Sequence, residues 1–352
     1  MAKRGRIRVL VYRPPWRNGQ PYFRAQQVAA HFRERGDRVA VVAGPKGWRS
    51  LVRLLLWPWQ LIWADLIFLY PQPLMPLFAL TAAWLGRRVV VDHFVSYVRM
   101  ADVSPRLGRW LGAMERAAYR RADAVLAHTG SVADALTAAF ALHEGKVRTL
   151  YSVVDTGLFA PICAETAMRL RQELGLTDKF VVLYHGLWHR WHGLDTLRNA
   201  VASLVGAGEP FALVMIGREG QGGAHERLVG EVAYAELPGY IQMAHVWCSG
   251  FASLPRGDRS LSSTMIQALA LARPVITSPS PEKACWLRDG ETAFFVASHD
   301  VKALAQAIRR CRDHPDIAQR VGEAGRQLAQ EAFDIAALHA LLGDLTRTWF
   351  SG

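Results

Sequence analysis

Residues 259–278 read R-S-L-S-S-T-M-I-Q-A-L-A-L-A-R-P-V-I-T-S, and this stretch limits the possible folds more than any other. Serines and a threonine stand just ahead of a run of strong helix formers, 265–272, the composition of a loop that caps and starts a helix. Arg273-Pro274 ends that helix, because proline pushes the residue before it out of the α region. Val275-Ile276-Thr277 then reads as a short buried strand. Loop, helix and strand in that order predict one unit of an α/β sheet. The helix opens on free backbone N–H groups, a setting in which phosphates are held; an ordinary βαβ crossover with a polar cap has the same composition.

The alternation recurs along the chain. In the first half, 7–12, 38–43, 65–70, 88–92 and 122–129 predict strands and 22–36, 74–85 and 105–121 predict helices. A helix over 131–140, capped by Ser131, leads to a further strand-like run at 147–151. The pattern fails at V-V-D-T-G-L-F-A-P, which puts a domain boundary near 155–178. A second series follows, with strands at 179–184, 212–216, 246–254, 275–277 and 293–296. Leu194, Leu197, Val201 and Leu204 mark one face of a helix, and 301–311, 317–333 and 335–350 predict the closing helices. Two domains are expected, 1–160 and 161–335, with a terminal helix over 336–352 that can cross back to the first. The chain's 352 residues exceed the roughly 100–200 of a single domain.

Composition narrows the function. The four cysteines, Cys163, Cys248, Cys285 and Cys311, are far apart in sequence, which argues against a zinc site or disulfide framework and for a reducing compartment. The apolar run after the basic N-terminus is too short for a secretory segment and fits a first strand. Net charge is +12, and residues 1–100 hold all of the excess, with 16 Lys and Arg against 4 Asp and Glu. A polyanion therefore meets that half first. Within it, 48–63 carries four of the twelve tryptophans. Arg49, Arg53 and Pro58 interrupt the run, so it is not read as a span of about 20 apolar residues. Indoles beside arginines suit the headgroup level of a bilayer; a helix packed in a crossover is the other reading. Nucleic acid is not expected as a partner, because no recognition module accompanies the charge.

Several runs, in order, resemble the retaining nucleotide-sugar glycosyltransferases of family 4. They are H-F-R-E-R-G-D-R-V-A-V-V, E-R-A-A-Y-R-R-A-D-A-V-L-A-H-T-G-S-V-A-D-A-L (115–136), V-R-T-L-Y-S-V-V-D-T-G-L-F-A-P (147–161), V-V-L-Y-H-G with H-G-L-D-T-L, I-Q-A-L-A-L-A-R-P-V-I and D-G-E-T-A-F-F-V. The resemblance implies an α/β fold of GT-B architecture, two facing Rossmann-like doubly wound domains, the first for the acceptor and the second for the donor. It implies a metal-free transfer, with no cofactor, from a UDP-sugar or alternatively a GDP-sugar. The expected acceptor is a glycan or a polyprenyl-diphosphate-linked glycan, at the cytoplasmic face of an anionic membrane, in polysaccharide or glycoconjugate synthesis.

The resemblance also assigns positions. Arg190 and His192 are expected on the diphosphate, with Gly186 and Gly217 at the donor-domain strand ends. Leu261, Ser262, Ser263 and Thr264 form the helix start, and Gln267 reaches the ribose. Gly19 faces the phosphates from the first domain, and His93, at the carboxyl end of a strand, lies near the reacting sugar. The chain departs from the family where an arginine is replaced by Leu187, a lysine by His192, and a pair of glutamates by Arg259 and Gln267. Asp258, beside Arg259, is the carboxylate left to act at the sugar. Those departures keep two alternatives open, a non-catalytic binding protein of the same fold and a nucleotide-sugar epimerase.

Overall fold

The computed structural model describes residues 6–13, 20–43, 57–70, 75–93, 105–143, 145–188, 192–252 and 261–350. The chain divides into two units, Met1–Tyr151 with Leu338–Gly352, and Ser152–Ala337.

In the first unit β1 (Arg8–Arg13), β2 (Arg38–Ala43), β3 (Leu66–Leu69), β4 (Arg88–His93), β5 (Ala124–Ala127) and β6 (Val147–Thr149) form one sheet in the order β2-β1-β3-β4-β5-β6. Every neighbouring pair is parallel. β3 and β5 are buried at every position, as expected for strands covered by helices on both faces. The connecting helices are α1 (Gln20–Glu34), α2 (Trp57–Trp63), α3 (Met75–Trp84), α4 (Pro105–Arg121) and α5 (Gly130–Phe140).

The expected cap of α5, Ser131, is corrected to Thr129. Thr129 is the last residue in extended geometry (φ −152°), so its hydroxyl accepts the Val132 N–H at 3.2 Å.

The second unit holds β7 (Phe180–His185), β8 (Phe211–Ile216), β9 (Glu226–Val229), β10 (Val246–Cys248), β11 (Val275–Thr277) and β12 (Phe294–Phe295). The order is β12-β11-β10-β7-β8-β9, again with all neighbours parallel. The chain winds outward from β7 to β9, then returns to place β10 on the other side of β7. Strand order reverses between β7 and β10, and ligands of open α/β sheets bind outside the carboxyl ends at such a switch point.

Its helices are α6 (Ala164–Glu173), α7 (Leu194–Gly206), α8 (Leu237–Met243), α9 (Ser263–Ala270), α10 (Pro281–Ala284), α11 (Val301–Asp313) and α12 (Pro315–Ala332). The stretch expected to be a linker contains α6. The periodic apolar positions of α7 pack with Val182, Leu213 and Met215 in one core.

A final helix, α13 (Ile335–Phe350), has all but its first three residues in the first unit. Asp344 accepts from Arg148 at 2.8 Å, Arg35 donates to Thr346 at 2.8 Å, and the rings of His339 and His31 lie 4.7 Å apart. Before it, Val154 donates to Phe333 O and Ile335 to Val154 O, so the stretches by which the chain enters and leaves the second unit run side by side.

Candidate functional site

In the second unit the candidate site is built from backbone. β7 ends at His185, and Gly186 follows with φ +131°; β8 ends at Ile216, and Gly217 follows with φ +108°. L side chains rarely adopt either conformation. The two glycines meet: a Cβ on Gly217 would lie 2.6 Å from Gly186 O, and a Cβ on Gly186 would lie 3.2 Å from Thr264 Cγ2. Bare backbone from two strand ends is thereby brought against the first turn of α9.

That turn carries no acidic side chain. Ser262 caps it by accepting from Met265 N–H at 3.2 Å and lies 3.2 Å from Thr264 Oγ1. Ser262, Ser263 and Thr264 are partly exposed while the side chain of Leu261 is buried, so Leu261 has only its backbone to offer. An uncompensated helix N-terminus attracts negative charge through its N–H groups and dipole.

His192 joins this group. Its ring nitrogen Nδ1 lies 3.2 Å from Ser249 Oγ, and its carbonyl accepts from Gly250 and Phe251 N–H. The loop can sit so close because the next residue is glycine: a Cβ on Gly193 would fall 2.5 Å from Phe251 C.

Gln267 is buried beneath the turn. Trp247 Nε1–H donates to His185 Nδ1 at 3.0 Å, and His185 Nε2 is 2.9 Å from Gln267 Oε1. Because Nδ1 accepts, Nε2 carries the proton and donates to the carboxamide oxygen. Burial holds the His185 pKa down at about 4, opposed by this bond. The phenol of Tyr234, which burial pushes up to about 12, also hydrogen-bonds Gln267. The carboxamide is thus oriented from two sides by the protein.

Two cations here are absent from the sequence expectation. Arg218, one residue past Gly217, lies 5.1 Å over the ring of Trp188, which stands two residues past Gly186, a cation–π contact between the two segments that follow the glycines. Lys283 is buried; its ammonium donates to Thr277 Oγ1 at 2.9 Å and Ser278 O at 2.7 Å. A Cβ on Gly250 would lie 3.0 Å from Lys283 Nζ. The S-P-S-P-E-K run was a usable signal for Lys283: Ser280 caps α10 by accepting from Lys283 N–H, repeating the polar start of α9.

In the first unit His93 ends β4 and is 7% exposed. Tyr119 O–H donates to Glu115 Oε1 at 3.2 Å, so His93 Nδ1–H donates to the phenol oxygen at 2.7 Å, leaving Nε2 as an acceptor. Burial, with His128 nearby, lowers the His93 pKa to about 3, so the ring is neutral. Beside it, Asp92 accepts from buried Arg24 at 3.0 and 3.1 Å, and Arg24 also donates to Leu150 O and Tyr151 O.

Gly19, Arg190, Asp258 and Arg259 lie outside the described residues. Among the described residues no three His, Cys, Asp or Glu side chains cluster as metal ligands.

Two doubly wound parallel sheets, the second with a glycine-lined helix N-terminus at its switch point, define a GT-B glycosyltransferase fold. Family models agree: "Glycosyltransferase Family 4" matches residues 1–158 and "Glycosyl transferases group 1" matches 179–314. The chain belongs to these glycosyltransferases.

It is similar to the alpha-D-kanosaminyltransferase of Streptomyces kanamyceticus, 25% identical over 255 residues that cover 70% of this chain and 64% of that protein. The chain spans under two thirds of that relative's length and about half, 51%, of two D-inositol 3-phosphate glycosyltransferases it also matches. Among solved structures it resembles Anabaena HepE in complex with UDP-glucose, with a TM-score of 0.74, 15% identity and coverage of 97% of this chain and 100% of that one. A glycosyltransferase from Rickettsia africae aligns with a TM-score of 0.76 and 13% identity, covering 97% and 98%.

Proposed function

We propose that the protein transfers a sugar from a nucleoside-diphosphate sugar, with UDP ahead of GDP, to a glycan or lipid-linked acceptor. One observation carries this reading: Gly186, Gly217 and Thr264 converge beside the β7/β10 switch point, where side-chain-free backbone leaves an anion room to approach the N–H groups of a helix N-terminus. Anabaena HepE, which shares the fold, has been solved with UDP and with UDP-glucose.

In this reaction the barrier is departure of the diphosphate from the anomeric carbon. Donors aimed at the leaving phosphate stabilise the charge that develops there. The first turn of α9, Ser262, Thr264, His192 and Arg218 fill that role, with Arg190, which follows β7 in sequence. Arg218 offsets the arginine that Leu187 replaces. Gln267, held by His185, has its carboxamide set for a ribose hydroxyl. Retention follows if the acceptor hydroxyl attacks on the face the phosphate leaves and gives its proton to the phosphate oxygen. His93, neutral with Nε2 as acceptor, suits a hydroxyl of the sugar, and Asp258 is the carboxylate left to act at the sugar. The acceptor site belongs to the first unit, at the cytoplasmic face of a membrane.

A screen of UDP- and GDP-sugars for slow hydrolysis tests the reading and reports base and sugar together. Release of one nucleotide from one donor is expected. No release, together with no nucleotide binding, would favour a binding protein of the same fold, a reading motivated by the neutral Gln267 where the family has a carboxylate.

A further inference from the structure

Two guanidinium groups and an imidazole meet at the amino edge of the second unit's sheet. His245 stands just before β10, Arg273 just before Pro274 and β11, and Arg171 on α6. Arg171 Nε donates to Met243 O at 2.6 Å, while Arg273 donates through Nη1 to Ala244 O at 3.0 Å and through Nε to Leu271 O at 3.3 Å. The two cations are thus bound to consecutive carbonyls, and His245 is the next residue. Its ring is fixed in turn. It stacks on Phe180 with centroids 4.6 Å apart, and Nδ1 accepts from Val181 N–H at 2.8 Å, so the proton is on Nε2.

No acid accompanies this cluster among the described residues. Neither Arg171 nor Arg273 is in an ion pair there, and Glu173, the acid that follows on α6, goes to Arg169 at 3.8 Å. Burial lowers the pKa of both arginines, and Arg171 lowers that of Arg273 further. His245 is held down at about 4 by burial and then by both arginines. Capping explains part of the arrangement, because cations suit a helix carboxyl end. The end of α8 offers about half a negative charge against two positive ones, so most of the charge stays uncompensated where water screens it poorly.

Donors are left over as well. Among the described residues the terminal nitrogens of Arg171, Nη2 of Arg273 and Nε2–H of His245 have no protein acceptor. All three side chains are partly exposed, so an ion can reach them. Phosphate matches this set better than a carboxylate does. Its oxygens suit the guanidinium fork, and a dianion offsets both arginines where a carboxylate offsets one.

We propose that Arg171, Arg273 and His245 form a phosphate site, for the free ion or a phosphomonoester, separate from the diphosphate site. The parallel strands β7, β10 and β11 run from this edge toward Gly186 and the α9 turn, and the six residues of β7 put about 15–20 Å between the two ends. The assignment stands whether or not the donor reading does.

The His245 ring resonances of the full chain, assigned by their loss in His245→Gln, are followed by NMR as inorganic phosphate, glycerol phosphate, acetate or UDP is added. Phosphate should shift them saturably. It should also make the ring begin to protonate between about pH 7 and 5, where it is otherwise neutral, because a bound anion favours the imidazolium. Arg171→Met should weaken phosphate at least about tenfold, and Arg171→Lys, which keeps the charge but not the fork, should recover part of the loss. Glycerol phosphate acting as phosphate does would identify a phosphomonoester as the ligand, and a response to phosphate alone the free ion. No shift with phosphate, an equal response to acetate, equal phosphate affinity in Arg171→Met, or UDP shifting His245 as phosphate does would overturn the proposal. The wild-type titrations decide even if Arg171→Met does not fold.

Discussion

Gly217 lies against Gly186, so closely that a methyl group on the first would sit 2.6 Å from the carbonyl oxygen of the second. Both backbones are in conformations that favour glycine, and the contact closes the floor of the proposed diphosphate site.

Gly217→Ala meets a backbone oxygen rather than a movable side chain, and it also strains φ. A loss of about 2 kcal/mol of stability is expected, read from urea denaturation, with weakened UDP binding in calorimetry. Unchanged values for both would mean that the strand ends move apart at no cost and that the close approach is incidental.

Arg218→Ala removes the guanidinium over Trp188. A charge-assisted hydrogen bond contributes about 1.5–3 kcal/mol, so UDP should bind at least about tenfold more weakly, while uridine, which lacks the phosphates, should bind as before. Equal losses for both ligands would assign Arg218 to the base or to loop structure.

How much of this was legible in the sequence depends on where the information lay. β7 and β8 were readable because a parallel strand covered on both faces is a continuous apolar run. α9 was readable from its serine cap. β9 was not: its first residue, Glu226, is buried, and it becomes tolerable chiefly through Arg198 of α7, which donates to both carboxylate oxygens at 2.8 Å, with Gly223 N–H donating at 3.3 Å. α8, seven residues with a proline at its start, has too short a period to detect. The role of Arg218 was hidden because it is defined by Trp188, 30 residues away on another strand's loop.

Stability should fall with acid through the buried histidines. His185 and His245 have pKa values held down at about 4, and His93 at about 3, chiefly by burial. An unfolded chain's histidines take up protons near pH 6.5. Between those values the unfolded state binds more protons, so the stabilisation is complete above about pH 6.5 and is lost as pH falls toward 4. His185→Gln should flatten that slope by on the order of 1–3 kcal/mol across the window, measured as urea midpoints from pH 7 to 4. An unaltered slope would show that His185 protonates without consequence for the fold.

Arg24 and Asp92 form an ion pair with side chains only 2% exposed on both sides. Arg24→Met leaves Asp92 buried without its partner, and a loss of about 3–5 kcal/mol is expected. Adding Asp92→Asn should recover a substantial part of it. A double variant as unstable as the single one would mean that the bonds from Arg24 to the carbonyls of Leu150 and Tyr151 matter more than the pair.

The central claim is that the second unit grips a diphosphate at the β7/β10 switch point. Calorimetric titration of the full chain with UDP, GDP and uridine tests it most directly. One nucleoside diphosphate should bind at least about tenfold more tightly than uridine, and the preference should disappear with added salt or in Arg218→Ala. Uridine binding as tightly as UDP, or no binding by either diphosphate, would contradict it.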